Sequence, residues 1–404
     1  MDRSNHIRQD PVEDPSTLLL SWYMAEKRDL PWRRTKDPYA IWVSEIMLQQ
    51  TQVKTVIPYY ERFIQRFPGV EQLGTASLEE VLMVWRGLGY YSRARRLWAG
   101  AHYLLEQRGG KMPNDYESLL RVPGIGKYTA GAIASIAFGQ RVAAVDGNVL
   151  RVAARLLAWS EPVETARSYR RFNDQLLVWQ PALQPGDFNQ ALMELGATVC
   201  TPTKPDCASC PLSQVCAGHL RGEVHRYPVK KLKAKRQSVT RLTFVLRQGD
   251  RVFLRRRPPR GLLADLWEFP GVELCQEEGL NNNFPVITDG EWLELWQKVI
   301  SELGVEGLER VQFGPDLKLR GPVWYTFSHR RWKICWVIVD LPESFALKPA
   351  GASLVKEAVG EYRLDSGGGH QGDNRCWASA QDLSKIPLPV AFQAIVEDLQ
   401  LFTG

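Results

Sequence analysis

Cys200, Cys207, Cys210 and Cys216 form a C-x6-C-x2-C-x5-C run. Four thiolates presented from one short loop are soft tetrahedral donors, and they take either zinc or an iron-sulfur cluster. Zinc loops more often carry two paired C-x2-C knuckles. This run has one such pair with long arms on both sides, which favours a single 4Fe-4S cluster. Two carboxylates are the other reactive candidates. Glu45 sits among Trp42, Ile46 and Met47 in a helical pattern that should bury it. Burial raises a carboxyl pKa toward the range where it keeps its proton at neutral pH; a solvated surface glutamate is the alternative. Asp146 lies in VDGNV, a turn that opens a helix, with Asn148 beside it. Its carboxylate can cap that helix, point into a cleft, or do both.

The stretch LLRVPGIGKYTAGAIA at 119 to 134 sets Gly124-Ile125-Gly126 between the end of one helix and the start of another rich in small residues, a helix-hairpin-helix pattern. Paired glycines let the backbone approach a phosphate, and the N–H groups opening the second helix favour an anion. Contacts of this kind hold DNA without reading its sequence. An ordinary interhelical turn also carries G-x-G, so the downstream VDGNV turn and the cysteine run are what set this one apart.

The elements that must position these residues divide the chain in two. Residues 1–15 read as a tail. Residues 16–218 are an all-α domain, with Ser16 capping a first helix and patterns over 42–67, 93–107, 127–138, 148–159, 166–179 and 188–199; Pro58 is expected to kink or divide the second of these. Residues 219–238 are basic, contain a proline and lack apolar periodicity, so they read as a linker. Residues 239–404 read as an α+β domain, with a hairpin turn at Gly249-Asp250, β-rich runs over 321–328 and 332–339, and helices over 291–303 and 390–402. The segment 365–374, DSGGGHQGDN, reads as a loop. A chain of 404 residues with 24% charged and 44% hydrophobic residues is ordinary for a globular protein of two domains. Its net charge of +6 permits a polyanionic partner. The polar start, MDRSNHIRQDPVEDPS, lacks an export signal, and AGAIASIAFG is too short to span a bilayer, so a cytoplasmic location without a membrane partner is expected. Cys275, Cys335 and Cys376 are scattered and read as small apolar residues rather than part of a disulfide framework.

The hairpin, the aspartate beyond it and the cysteine spacing resemble the iron-sulfur branch of the helix-hairpin-helix DNA glycosylases. Endonuclease III-like members place a Schiff-base lysine second after the last hairpin glycine. Here that position is Tyr128, and Lys127 stands one place too early. With LPWR at 30–33, WVSEIMLQQT at 42–51 and GLGYYSRAR at 87–95, the sequence instead resembles the adenine DNA glycosylases, the MutY family. The resemblance implies a monofunctional, monomeric base-excision repair enzyme with little or no strand cleavage, acting on duplex DNA that holds adenine opposite 8-oxoguanine or guanine. It implies that Glu45 protonates the five-ring of adenine and that Asp146 stabilises the oxocarbenium sugar, with Tyr128 and Asn148 beside them. Gln50 and Tyr90 match intercalating positions, with Thr51 and Leu88 near the lesion. Trp32, Arg33, Leu48, Gln190 and Met193 would line or support the adenine pocket, although Leu48 and Met193 suit plain core packing equally well. Gly124, Gly126 and Lys127 would hold phosphate, and the cluster would brace the loop that turns Lys204 to DNA.

The second domain resembles a Nudix fold through LLADLWEFPG at 262–271. Its counterpart of the magnesium-binding glutamate helix, LWQKVISELGV, keeps only Glu302, so nucleotide hydrolysis is not expected. The Phe327-Ser328-His329 tripeptide matches the loop with which adenine glycosylases recognise 8-oxoguanine. Two rivals stand beside this reading: a thymine-removing relative, against which the Phe-Ser-His loop argues, and a catalytically silent DNA-binding iron-sulfur protein, against which Glu45 and Asp146 argue.

Overall fold

A computed structural model describes residues 14–231, 236–274, 287–306, 308–311, 313, 317–327, 330–343, 345, 348–349, 374–379 and 381–400. Cys275, Ser328, His329 and residues 365–373 of the expected loop lie outside the described residues. The chain divides into two units, Met1–Lys233 and Ala234–Gly404. Among the described residues no helix is long and apolar enough to cross a membrane.

The first unit is built from α1 (Pro15–Glu26), α2 (Pro38–Leu48), α3 (Val53–Arg66), α4 (Val70–Thr75), α5 (Leu78–Trp85), α6 (Ser92–Arg108), α7 (Tyr116–Leu120), α8 (Lys127–Phe138), α9 (Gly147–Leu156), α10 (Ala166–Trp179), α11 (Pro185–Thr198) and α12 (Ala217–Leu220). The small residues of α8 let it run through the centre: Thr129 to Ser135 are all buried, and the helix packs against α2, α7 and α11. Three expectations need correction. Asp14, not Ser16, occupies the N-cap of α1, and the Ser16 hydroxyl donates to its carboxylate. The pattern over 42–67 is broken between Leu48 and Val53, not at Pro58, which lies inside α3. Close to the start of α3 the proline removes one ladder bond, and the helix continues through it. Residues 219–231 are also not a linker. Val163 N–H donates to Val229 C=O at 3.1 Å, Arg155 Nε to Tyr227 C=O at 3.1 Å and the Lys231 N–H to Glu164 at 3.2 Å, so this basic segment packs on the first unit.

The second unit is a mixed sheet of order β3-β2-β1-β7-β6, from β1 (Gln237–Gln248), β2 (Arg251–Arg256), β3 (Trp267–Glu268), β4 (Gly271–Leu274, paired with β1), β6 (Arg320–Thr326), β7 (Arg330–Asp340) and β9 (Arg375–Ser379, paired with β2). Separate from it, β5 (Val305–Glu306) pairs with β8 (Lys348–Pro349). The expected Gly249-Asp250 turn joins β1 to β2, with Gln248 opposite Arg251. β1 and β7 run parallel, from Gln237 opposite Arg330 to Arg247 opposite Asp340, which no local pattern in the sequence specified. α13 (Asp289–Leu303) covers one face through Trp296 and Val299, packed with Leu242, Phe244 and Val337. α14 (Gln393–Gln400) covers the other through Ile395 and Leu399, packed with Val245, Trp332 and Ile334. Cys335 is fully buried and Cys376 partly so, as expected of small apolar residues.

Candidate active site

α2, the 3-10 turn Pro31–Arg33, α8, the start of α9 and α11 surround an open cavity of about 770 Å³ in the first unit. It brings together Trp32, Arg33, Glu45, Leu48, Gln50, Thr51, Tyr128, Asp146, Asn148, Gln190 and Met193, all expected from the sequence, and adds Arg28, Arg151 and Glu194, which were not.

Glu45 is 5% exposed on α2. Burial pushes its pKa up to about 7, against the Tyr128 hydroxyl, which donates to Oε2; the nearby Asp146 charge adds to the rise and Arg33 opposes it. The residue in the Schiff-base position therefore spends its donor on the acid. Lys127 is exposed and faces the Tyr169 ring at 5.9 Å, so no amine of this hairpin lines the cavity.

Asp146 is the N-cap of α9. Its Oδ1 accepts the Val149 N–H at 2.7 Å and its Oδ2 the Asn148 amide at 3.0 Å. Burial raises its pKa, and those hydrogen bonds with the Arg151 charge oppose the rise. Both sequence alternatives hold together: the carboxylate caps a helix and lines the cavity. Arg151 Nη2 donates to Asn148 Oδ1 at 2.9 Å and to Gly196 C=O at 2.7 Å, while its Nε donates to Cys200 C=O at 2.9 Å.

Glu194 anchors the opposite wall. Its carboxylate, 1% exposed, accepts Arg28 Nε at 2.7 Å and Arg33 Nη2 at 2.8 Å. Burial would push its pKa up, but the two guanidiniums hold it at about 2. Glu194→Gln is expected to unseat Arg33, at the low end of the about 3–5 kcal/mol that breaking a buried pair costs, because Arg28 reaches solvent. A depressed folded-state pKa stabilises above the unfolded value and fades as pH falls. The deficit should therefore be full at pH 7 and shrink from 4.5 toward 2, which urea melts at pH 7 and pH 3 would measure.

The remaining candidates lie away from the cavity lining. Leu88 is 6% exposed and packs inward, whereas Tyr90 is 43% exposed. In the hairpin, Gly124 has φ +83°, and a Cβ there would meet Arg96 at 2.8 Å, so both backbone and packing require glycine. Gly126, the exposed N-cap of α8, has open space where a Cβ would be, leaving the first-turn N–H groups approachable. Lys204 is exposed in the cysteine loop.

The four cysteines of that loop are free, and the Arg155 guanidinium donates to Cys200 Sγ at 3.2 Å. Burial, helped by the neighbouring Cys200, Cys216 and Cys207 and opposed by the Leu212 backbone hydrogen bond, pushes the Cys210 thiol up to about 12. Four free thiols on one loop, near enough to raise one another's pKa, are by their chemistry the soft donor set that a thiolate-bound cluster would need. Among the described residues, these four cysteines included, no three His, Cys, Asp or Glu side chains are placed to hold a metal ion.

In the second unit Phe327 stacks edge-on against Trp332, with centroids 4.9 Å apart, and its N–H donates to Arg330 C=O at 2.7 Å. Glu302 accepts Arg255 Nη1 at 2.8 Å, so the one acid kept in the Nudix-like helix is given to an ion pair.

The hairpin thus leads into α8 through Gly126, and Asp146, the cap of the following helix α9, lines the same cavity as the buried Glu45. The family described as the HhH-GPD superfamily base excision DNA repair protein matches residues 43–176, and a NUDIX domain matches residues 242–398. The chain is 44% identical over 313 residues to an adenine DNA glycosylase of Mus musculus, covering 64% of this chain and 61% of that protein. It is 38% identical to one from Buchnera aphidicola subsp. Baizongia pistaciae, covering 62% of this chain and 72% of that protein. It is 32% identical over 403 residues to one from Schizosaccharomyces pombe, covering 82% of this chain and 84% of that protein. The chain belongs to the adenine DNA glycosylase family, and it spans about three fifths of the length of the mouse and human relatives.

Proposed function

We propose that this chain is a cytoplasmic, monomeric, monofunctional DNA N-glycosylase that removes adenine mispaired with 8-oxoguanine or guanine in duplex DNA. The observation that carries the reading is a glutamate with a pKa of about 7 and a helix-capping aspartate lining one cavity. Adenine is inaccessible in the stack, so the nucleotide swings out, at roughly a few kcal/mol that mispairing reduces. Gln50 and Tyr90 fill the gap, and the Gly124–Gly126 hairpin with Lys127 and Lys204 holds the backbone. Protonated Glu45 gives its proton to the five-ring nitrogen as the C1′–N9 bond breaks and its electrons move to adenine. Asp146 stabilises the positive sugar, Asn148 fixes the aspartate, and Tyr128 fixes the glutamate. Water adds to C1′ and loses a proton, balancing the one that left with the base. Cys200, Cys207, Cys210 and Cys216 would hold one 4Fe-4S cluster, which supplies a rigid brace for the loop. The second unit reads the opposite base, with Phe327, Ser328 and His329 as its contact loop.

Single-turnover cleavage tests this, with alkali revealing abasic sites in duplexes of adenine opposite 8-oxoguanine, adenine opposite guanine and thymine opposite guanine. Adenine release fastest opposite 8-oxoguanine is expected, and Asp146→Asn should cut it at least about a hundredfold while duplex binding survives. Thymine release would move the chain to a different mismatch, and no release from cluster-loaded protein would leave a DNA binder without chemistry.

A further inference from the structure

Gln50 and Tyr90 share an unusual backbone state. Gln50 has φ +58° and Tyr90 φ +50°, the left-handed region that non-glycine residues avoid, and each stands exposed in a turn. Such conformations persist only where the surroundings impose them. One side chain reaches both turns. Arg93, on the first turn of α6 and 5% exposed, points its guanidinium under them. Nη1 donates to Ile46 C=O at 3.0 Å, Met47 C=O at 2.6 Å and Gln49 C=O at 2.5 Å. Nη2 donates to Thr51 Oγ1 at 3.1 Å and to Gly89 C=O at 3.2 Å. The Tyr90 ring lies 5.2 Å from the same guanidinium.

The contacts with Ile46, Met47 and Gln49 cap the end of α2, where an α-helix leaves carbonyls unpaired and carries partial negative charge. They also stop α2 before Gln50, the break that no glycine or proline signals. Burial lowers the Arg93 pKa to about 10, so the group stays charged at neutral pH. At 5% exposure it is set among backbone carbonyls rather than turned outward toward a phosphate.

We infer that Arg93 is a positioning residue that fixes the two intercalating tips, Gln50 and Tyr90, at one separation, so that they enter the stack as a single wedge. The assignment rests on the glycosylase reading above and deepens it: Arg93 acts on extrusion of the base, through the tips, and not on cleavage of the bond. A lysine keeps the charge but has no planar fork with which to bind both turns. Charge retention alone therefore should not rescue the function.

The test places 2-aminopurine at the target position opposite 8-oxoguanine, in an Asp146→Asn parent that is silent in chemistry, and follows the fluorescence rise on unstacking by stopped flow. Adding Arg93→Lys should slow the rise by about tenfold or more, since several charge-assisted hydrogen bonds are lost. The same change in a Gln50→Ala/Tyr90→Ala background, which has no tips to position, should slow it less than about twofold. Thr51→Val, which removes one contact and spares the guanidinium, should slow extrusion about twofold to fivefold, and only when the tips are present; it carries the test if Arg93→Lys does not fold. An Arg93→Lys protein that extrudes as fast as its parent, or one slowed equally without the tips, overturns the assignment. A parent that gives no rise removes the adenine-flipping reading and the Arg93 role together.

Discussion

Glu45→Gln is expected to abolish adenine release while making the folded protein more stable at pH 8. The catalytic effect is a loss of about a hundredfold to ten-thousandfold, the range set by a positioned proton donor, because an amide has no proton to give. The stability effect follows from the same burial. A folded-state pKa of about 7, against 4.5 for a free glutamate, means that the folded chain holds a proton the unfolded chain has released. The stabilisation linked to that proton is complete below pH 4.5 and lost as pH rises through about 7, so at pH 8 the buried carboxylate costs about 3 kcal/mol. Glutamine is neutral at every pH and keeps an oxygen to accept the Tyr128 hydroxyl. The gain should appear as a melting temperature roughly 5–10 °C higher at pH 8 and all but vanish at pH 4, where the wild-type side chain is neutral in the folded chain and mostly neutral in the unfolded one. Melts of both proteins at the two pH values check it. An equal shift at both would mean that Glu45 does not titrate in this window, and the acid role would then lack its physical basis.

That conflict between folding and function was legible in the sequence, because the apolar neighbours of Glu45 lie on its own helix, within a turn of it. The N-cap position of Asp146 was legible for the same reason: Asp-Gly-Asn ahead of an apolar helix is a local signal. Glu194 was not. Its partner Arg28 lies 166 positions away, and a glutamate inside ALMELG looks like any helical surface residue. Arg93 hid similarly, 47 positions from Ile46, and its effect produced the one misplaced helix break. Pro58 offered a local reason to divide the pattern. The division was made instead by a distant guanidinium that caps α2, a tertiary cause that propensity does not register. In the second unit the β-rich runs around the Gly249-Asp250 turn and over 332–339 marked β1 and β7 as strands, but their parallel pairing joins residues about 93 positions apart, which no local pattern registers. The basic run after His219 read as a linker because its contacts run to Glu164, Val163 and Arg155, through backbone groups that carry no sequence signature.

Long-range charge placement also governs the other large effect, in the second unit. Glu268 is 1% exposed, and its carboxylate accepts Arg241 Nη2 at 2.7 Å, Arg255 Nε at 2.9 Å and Arg257 Nη1 at 2.5 Å. Burial alone would raise its pKa, but Arg241, Arg257 and Arg255 together hold it low. Arg241 is 3% exposed, with its guanidinium 5.0 Å from the centre of the Trp332 ring, against which Phe327 packs. Removing that buried charge leaves Arg241 and Arg257 without their carboxylate and Arg255 with Glu302 alone, and Arg241 has no route to water. Glu268→Gln is therefore expected to destabilise the second unit by about 3–5 kcal/mol, the cost of orphaning a buried charge. Glu302→Gln, which breaks an ion pair at a half-exposed glutamate, should cost less than about 1 kcal/mol. Calorimetry of the whole chain would separate the two substitutions. In the glycosylase reading the first unit keeps Glu45, Asp146 and the hairpin, so Glu268→Gln should still release adenine opposite guanine while its preference for 8-oxoguanine falls toward none. If that preference survives a second unit shown by calorimetry to be unfolded, recognition of the lesion belongs to the helical unit, and the Phe327 loop has no part in it.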